Sequence, residues 1–446
     1  MENSQLNFEK KTIRKVTRRI IPLLFLLYII SYLDRANVGY AALEMNEALG
    51  LTSKMFGLVT GIFFIGYFLF EVPSNILMQK FGARVWITRI LFTWGIISMA
   101  TGFAQNATQL YIIRFLLGIA EAGLFPGIIL YLTYWFRAKE RASTIAMFMT
   151  AIAVSYIIGA PVSTLIIDHI HWMNVPGWRW MFIIEGAPAV ILGFVTYFYL
   201  TDRPEQAKWL TAEEKNWLIS ELRKDEELRE KKGQQTTSHK TALTDPKLWY
   251  LALIYFVYTA GTLGVGYWMP QIIKGLSSYL SNTQIGFIAT IPYIIASIVM
   301  NYWSRRSDRT GERRMHTALP LLVAGLTLLS VGMVSNPFIA MIFITISLAA
   351  MYCFKGPFWS LPTMILSPAT VAVGIAVINS IGNLGGFVGP YAVGWLKDAT
   401  GKMQAGLIFL SIILIIAFIL VLAMKFEQKR TAFKSQKEIG EIRLEK

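Results

Sequence analysis

Cysteine is nearly absent from this 446-residue sequence. The single residue, Cys353, lies in an apolar stretch, which excludes an intramolecular disulfide and suggests no metal cluster. The four histidines show no ligand spacing and no nucleophile–base set appears, so an enzyme is not expected, nor any bound cofactor. Charge is scarce too: 15% of residues are charged against 54% hydrophobic, with a mean hydropathy of +0.49. That balance excludes an ordinary soluble globule and points to an integral membrane protein. No small-x-small cleavage site precedes Leu33-Asp34-Arg35, so the first apolar run is expected to stay rather than act as a removable signal. The glycines of INSIGNLGGFVGP (378–390) follow no strand and lie in an apolar run, which excludes a nucleotide loop. Close helix packing through Gly382/Gly386 and Gly385/Gly389 is the better reading. The net charge of +15 comes without a basic face carrying stacking aromatics, so nucleic acid is not an expected partner.

What the chain has in quantity is apolar sequence in bilayer-crossing lengths. About 20 apolar residues cross as a helix. The runs between charged or Gly/Pro/Asn-rich breaks predict twelve spans, near 20–42, 55–79, 85–104, 109–133, 143–166, 180–201, 247–270, 284–303, 316–335, 338–360, 371–395 and 404–424. A polar segment divides them six and six: an N-terminal bundle over 1–201, a linker over 202–246, and a C-terminal bundle with its tail over 247–446. Within the linker, TAEE (211–214) reads as a capping box opening an amphipathic helix with Trp217, Leu218 and Leu222 on one face. Of 42 Lys and Arg, 33 fall in the termini and in the loops on one side. The alternate loops hold only Lys54, Lys274, Lys397 and Lys402, so both termini are predicted cytoplasmic.

Against this apolar background the few charges at membrane depth stand out. Asp34 and Arg35 lie about ten residues into the first span, where each costs roughly 2.5–3.5 kcal/mol and therefore needs a partner or a water-filled cavity. Adjacent helical residues point about 100° apart, so each is expected to have its own job. Asp34 suits reversible proton binding if burial and a nearby arginine balance. The planar fork of Arg35 suits a substrate carboxylate. In the fourth span Arg114 and Glu121 are seven residues apart, on nearly one face and roughly 10 Å apart along the axis. They are read either as an anion-binding cation with a proton-carrying acid or as a structural interhelix ion pair. Lys355, deep in the tenth span, recognises a second anionic group, or else snorkels or pairs with Glu71. Glu71 itself is a polar packing residue or a proton site. Tyr32, Tyr67, Tyr255, Trp359 and Asn379 offer donors and stacking faces, with ordinary packing as the alternative for each aromatic.

The two halves also repeat a loop. NILMQKFGARVW (75–86) and SRRSDRTGERRM (304–315) align Lys80, Gly82 and Arg84 with Arg309, Gly311 and Arg313 at a constant offset of 229. Such a repeat suggests a duplicated bundle with its substrate path between the halves. The pattern Gly-x3-Asp-Arg-x-Gly-x-Arg-Arg resembles the signature of the major facilitator superfamily. The second copy keeps its acid, Asp308, whereas Gln79 replaces it in the first, which puts a charge lock there in doubt. LDRANVG (33–39), GYFLFEVPSN (66–75), RFLLGIAEAGLFPG (114–127), WFRAKERA (135–142), GPFWSLP (356–362) and INSIGNLGGFVGP (378–390) together resemble the anion:cation symporter family of bacterial organic-acid permeases. That resemblance implies an all-helical fold of twelve membrane helices in two six-helix bundles. It also implies import of a small organic anion such as a hydroxy dicarboxylate, sugar acid or aromatic acid, coupled to H+, across a bacterial inner membrane. Asp34 is then proton-coupling and Arg35 substrate-binding, Tyr67, Trp359 and Asn379 are favoured as site residues, and the repeated loops act as gates. Membrane lipid is the expected surrounding, and the two-bundle plan can work as a monomer. Anion exchange and a non-transporting sensor are the competing readings.

Overall fold

The computed structural model describes residues 2–231, 243–277, 279–367 and 370–424. Residues 232–242 of the linker and the tail 425–446 lie outside the described residues. Among the described residues every regular element is a helix. Eleven of these are long and apolar enough to cross a membrane: Gln5–Ala48, Ser53–Phe81, Ala107–Thr133, Ala138–His169, Gly177–Tyr199, Pro246–Leu276, Asn282–Thr310, Arg314–Val331, Pro337–Ile365, Val373–Thr400 and Met403–Ala423. A further helix, Ala83–Thr101, occupies the third position. It is only 19 residues long and carries Arg84 and Arg89, the latter with its guanidinium 4.1 Å over the Trp86 ring. With it, the spans number twelve, called spans 1 to 12 in chain order, in two six-helix bundles.

Two features depart from the predicted spans. Span 1 is the end of a helix that already begins at Glu2, because the basic stretch before residue 20 is rich in helix-forming Lys and Arg. Span 4 is broken: one helix ends at Glu121 and the next starts at Leu124. Gly123 turns the chain there at φ +88, where an added Cβ would lie 2.4 Å from Ser74 Oγ. The break leaves Glu121 as the last residue of its helix. Spans 2 and 4 are pressed together at two other glycines. A Cβ on Gly66 would meet Phe115 O at 2.4 Å, and one on Gly118 would meet Phe63 O at 2.1 Å. This contact carries Arg114 and Glu121 into the bundle interior.

The halves meet along spans 1 and 7, 2 and 11, and 5 and 8. At the end away from the termini, two carboxylates tie them. Asp398, ending span 11, accepts the backbone N–H of Ser53 (3.0 Å) and Lys54 (2.8 Å) at the start of span 2. Asp168, ending span 5, accepts Thr283 N–H (2.6 Å) and Asn282 Nδ2 (2.8 Å) at the start of span 8. Both ties place an anion on the unpaired N–H groups of a helix N-terminus, where the macrodipole also favours it. Spans 2 and 8 are equivalent in the two halves, as are 5 and 11, so the ties repeat the internal symmetry.

At the basic end the linker helix Ala212–Lys231 docks on the N-terminal bundle. Its capping box is formed, with Thr211 N–H to Glu214 (2.9 Å) and Glu214 N–H to Thr211 Oγ1 (3.2 Å). Leu218 is fully buried and the Trp217 ring lies edge-on to Phe8 at 5.9 Å. Lys15 reaches Glu214 at 2.6 Å and Arg137 reaches Glu221 at 3.0 Å. Burial alone would raise the Glu214 pKa, but the Lys15 ammonium and the Thr211 backbone N–H outweigh it and hold the carboxyl below its ordinary value.

Candidate functional site

A cavity of about 90 Å³ lies between the bundles at membrane depth. Tyr32 and Arg35 reach it from span 1, Tyr255 from span 7 and Lys355 from span 10. Tyr156, Tyr258, Tyr267, Tyr293 and Tyr352 complete a wall of seven tyrosines. The rings brace one another: Tyr156 stacks on Tyr293 with centroids 4.6 Å apart, across the contact of spans 5 and 8. The Lys355 ammonium lies 4.4 Å over the Tyr352 ring. Two cations, one from each half, thus face one aromatic, hydroxyl-bearing space.

Arg35 is held at its root. Its Nε donates to Glu121 Oε1 at 2.8 Å, and Ser31 Oγ donates to the same oxygen at 2.5 Å. The guanidinium carbon stands 5.0 to 5.4 Å from the Tyr67, Tyr32 and Phe63 rings. Glu121 is fully buried and its Oε2 has no hydrogen-bond partner. Glu121 thus makes an interhelix ion pair with Arg35 of span 1, while Arg114, two helical turns away on the same helix, takes no part in it. Arg114, 1% exposed, packs 5.2 Å over Phe63 with Nε and Nη2 unpartnered, and does not line the cavity.

Asp34 points the other way, as helical periodicity requires. It accepts hydrogen bonds from Trp94 Nε1 (2.9 Å), from Ser98 Oγ and from Asn37 Nδ2 (3.3 Å). Its surroundings are spans 1 and 3, away from the cavity. Nearby sits an acid that the sequence reading passed over, Glu185 of span 6, bonded by Asn37 Nδ2 (3.0 Å) and Ser163 Oγ (2.7 Å). The signal that singled out Asp34, an acid in the middle of an apolar run, is equally present in WRWMFIIEGAP.

Three other expectations shift. The alternative of Lys355 pairing with Glu71 is not realised: Glu71 accepts Ser380 Oγ at 2.5 Å and Asn379 Nδ2 at 3.3 Å, joining spans 2 and 11. Asn379 is therefore placed at the seam between the halves rather than on the cavity wall. Trp359 packs edge-on to Tyr255 at 4.9 Å and Tyr67 is 2% exposed beneath Arg35, so both support lining residues from behind.

The repeated loops differ in their ties. In the first, Gly82 has φ +87, and the carboxylate of Asp202 caps span 3 by accepting Arg84 N–H at 2.7 Å. Asp202 thus supplies a carboxylate to a loop whose own acid position holds Gln79. The Arg84 guanidinium rests 4.7 Å over Tyr197, and Lys80 is exposed beside Phe81. In the second, Asp308 pairs with Arg313 at 2.6 Å, Gly311 ends span 8 at φ +68, and Arg309 is exposed.

Comparison with known proteins agrees with this geometry. A family model described as Major Facilitator Superfamily matches residues 24–390 and 278–444. A protein of Agrobacterium vitis named "Putative tartrate transporter" is 50% identical over 93% of this chain and 92% of its own. The "Quinolone resistance transporter" of Acinetobacter baumannii is 40% identical over 96% of this chain and 98% of its own. Among solved structures, an inward-facing, occupied bacterial homologue of the human lysosomal transporter Spinster superposes with a TM-score of 0.75 at 16% identity, covering 90% of this chain and 95% of that one. Twelve spans in two bundles around a central cavity, with these matches over nearly the full length, establish that the chain belongs to the major facilitator superfamily and is a membrane transporter, not an enzyme.

Proposed function

We propose that this transporter imports a small organic anion with two acidic or strongly polar ends, together with protons, across a bacterial inner membrane. The observation that carries the reading is the pair of cations, Arg35 and Lys355, facing one tyrosine-lined cavity from opposite halves. A C4 hydroxy dicarboxylate of the tartrate type fits that chemistry: a carboxylate for each cation and hydroxyls for the tyrosine O–H groups. The name of the Agrobacterium vitis relative is consistent with it.

The cycle follows from the contacts of Arg35. Its fork is the stronger carboxylate ligand, and at rest one edge is taken by Glu121. A substrate carboxylate arriving from the cavity competes for that fork, and a proton on Glu121 removes the competition. Proton entry with the anion also offsets the electrical cost of moving negative charge inward, roughly 2.3 kcal/mol per charge at 100 mV. With both termini cytoplasmic by the loop charges, the ties of Asp168 and Asp398 close the periplasmic mouth. Glu71 with Ser380 is the smaller tie nearer the cytoplasm. Alternating access then rocks the bundles about the cavity, and one chain surrounded by lipid suffices.

Uptake of labelled tartrate into proteoliposomes under an imposed inward proton gradient tests this reading. Accumulation that collapses with a protonophore is expected. Counter-substrate acceleration without proton movement would make the protein an exchanger, and binding without movement would make it a sensor.

A further inference from the structure

Glu185 is the buried acid that this cycle leaves unused. It is 4% exposed and Asp34 is 1% exposed. Asn37, 0% exposed, stands between them, its Nδ2 3.3 Å from Asp34 Oδ1 and 3.0 Å from Glu185 Oε2. Among the described residues neither acid takes part in an ion pair. The groups facing the two acids are Trp94 and Ser98 from span 3 and Ser163 from span 5. On the opposite side of span 1 Arg35 meets Glu121 of span 4. A separate observation marks the place: Asn37 Oδ1 is buried and has no hydrogen-bond partner.

Two buried ionised carboxylates bridged by one neutral amide repel each other, and among the described residues no cation pairs with either. A buried amide oxygen without a donor is a second unmet demand. One proton answers the first, since it removes one of the two charges while Asn37 Nδ2 keeps its contacts to both acids. Asp34 already has three donors and Glu185 two, so Asp34 is the better stabilised anion and Glu185 the resting place of the proton.

We propose that Glu185 and Asp34 share one proton across Asn37 and together form a proton-holding site of the transport cycle. This rests on the symport reading above and adds a partner to it. Span 1 links the site to the cavity: Asp34 and Asn37 lie on one side of the helix, while Ser31 and Arg35 on the other both bond Glu121. Loading or emptying the pair therefore changes the charge seen by the Arg35–Glu121 contact through a single helix.

The test follows the protonated-carboxyl infrared band of the purified transporter against pH, beside tartrate uptake by proteoliposomes at the same pH values. In the wild type, the pair should release one carboxyl proton per molecule as a component distinct from that of Glu121. Glu185→Gln keeps the shape and the Ser163 and Asn37 contacts, so its melting temperature should hold. It should move that component, and the alkaline limb of uptake, by at least one pH unit toward acid, a tenfold loss in proton affinity once the neighbouring charge is gone. Asn37→Ser, which keeps both acids and removes the bridge, should also displace the component and serves if Glu185→Gln fails to fold. The proposal is overturned if the component responds to Asp34→Asn alone and ignores Glu185→Gln and Asn37→Ser. Failure of the symport reading looks different: wild-type tartrate uptake would then ignore the proton gradient, while the infrared component still reports on the pair.

Discussion

The two bundles share a fold but not a chemistry. At membrane depth the N-terminal half contains Asp34, Arg35, Arg114, Glu121 and Glu185, tied by Ser31, Asn37, Trp94, Ser98 and Ser163. The C-terminal half contributes Lys355 and a set of stacked rings in which Tyr255, Phe358, Phe354 and Tyr258 follow one another at 4.0 to 5.2 Å. A duplicated bundle would have been free to place charge equally. The difference teaches that one half concentrates buried acids and arginines, while the other presents one cation and a shaped aromatic surface. In the cycle proposed above, coupling falls to the first and selection to the second.

The strongest way to break that division is to remove Arg35, the residue that belongs to both tasks. Arg35→Ala takes away the substrate fork and leaves Glu121 buried without its cation, a change worth about 3–5 kcal/mol. Tartrate binding is expected to fall by at least about a hundredfold, with a lower melting temperature. Affinity unchanged in a calorimetric titration would remove Arg35 from the site.

A smaller and more selective effect is expected at Lys355. Losing one charge-assisted contact costs about 1.5–3 kcal/mol, so Lys355→Met should weaken a dicarboxylate roughly tenfold to a hundredfold. A matched monocarboxylate should change little. Equal losses for the two, together with a depressed melting temperature, would make Lys355 a structural residue.

Next in size are the ties at the far mouth. Each carboxylate on a helix N-terminus is worth about 0.3–1 kcal/mol. Asp398→Asn with Asp168→Asn should therefore open that mouth about threefold to thirtyfold more often, read as faster labelling, from outside, of a cysteine at the cavity-lining Gly266 by an impermeant maleimide. Labelling at the wild-type rate would mean the apolar seam alone keeps it closed.

The least effect is expected from acid on the linker helix. Glu214 and Glu221 both titrate below the ordinary 4.5, Glu214 through Lys15 and Thr211 against the opposing effect of burial, Glu221 first through Lys224 and then Arg137. The part of the lowering that docking supplies, from Lys15 on Glu214 and from Arg137 on Glu221, stabilises docking fully above the ordinary value and is lost as pH falls through the docked value. Protection against hydrogen exchange over 212–228, relative to the intrinsic rate at each pH, should be flat from neutral pH to about 5 and fall only below. A loss of protection already near pH 6 would point to another group.

Much of this could be read from the chain, and the reasons for the rest are physical. Asp34, Arg35, Glu121 and Lys355 were legible because charge in an apolar run needs a reason whatever the packing. The opposed directions of Asp34 and Arg35 followed from helix periodicity alone. The cavity-facing tyrosines were not legible beyond Tyr32 and Tyr255, since a tyrosine in a membrane helix is equally at home against a neighbour, and only the rotation of each helix decides. Asn379 was misplaced for the same reason. The sequence shows Arg114 and Glu121 on one face of their helix, but that span 1 brings Arg35 to Glu121 and nothing comparable to Arg114 depends on packing between helices, which spacing along one helix does not reveal. Glu185 was legible by the rule that found Asp34.

The central claim, that coupling and selection are divided between the halves, is tested most directly by measuring two modes of tartrate movement in the same proteoliposomes: accumulation driven by a proton gradient, and counterflow without one. Glu121→Gln, in the coupling half, is expected to abolish accumulation while retaining counterflow. Lys355→Met, in the selecting half, is expected to weaken both in proportion, with proton-driven accumulation recovered at higher tartrate. If the two variants lose accumulation and counterflow in the same ratio, the division is contradicted.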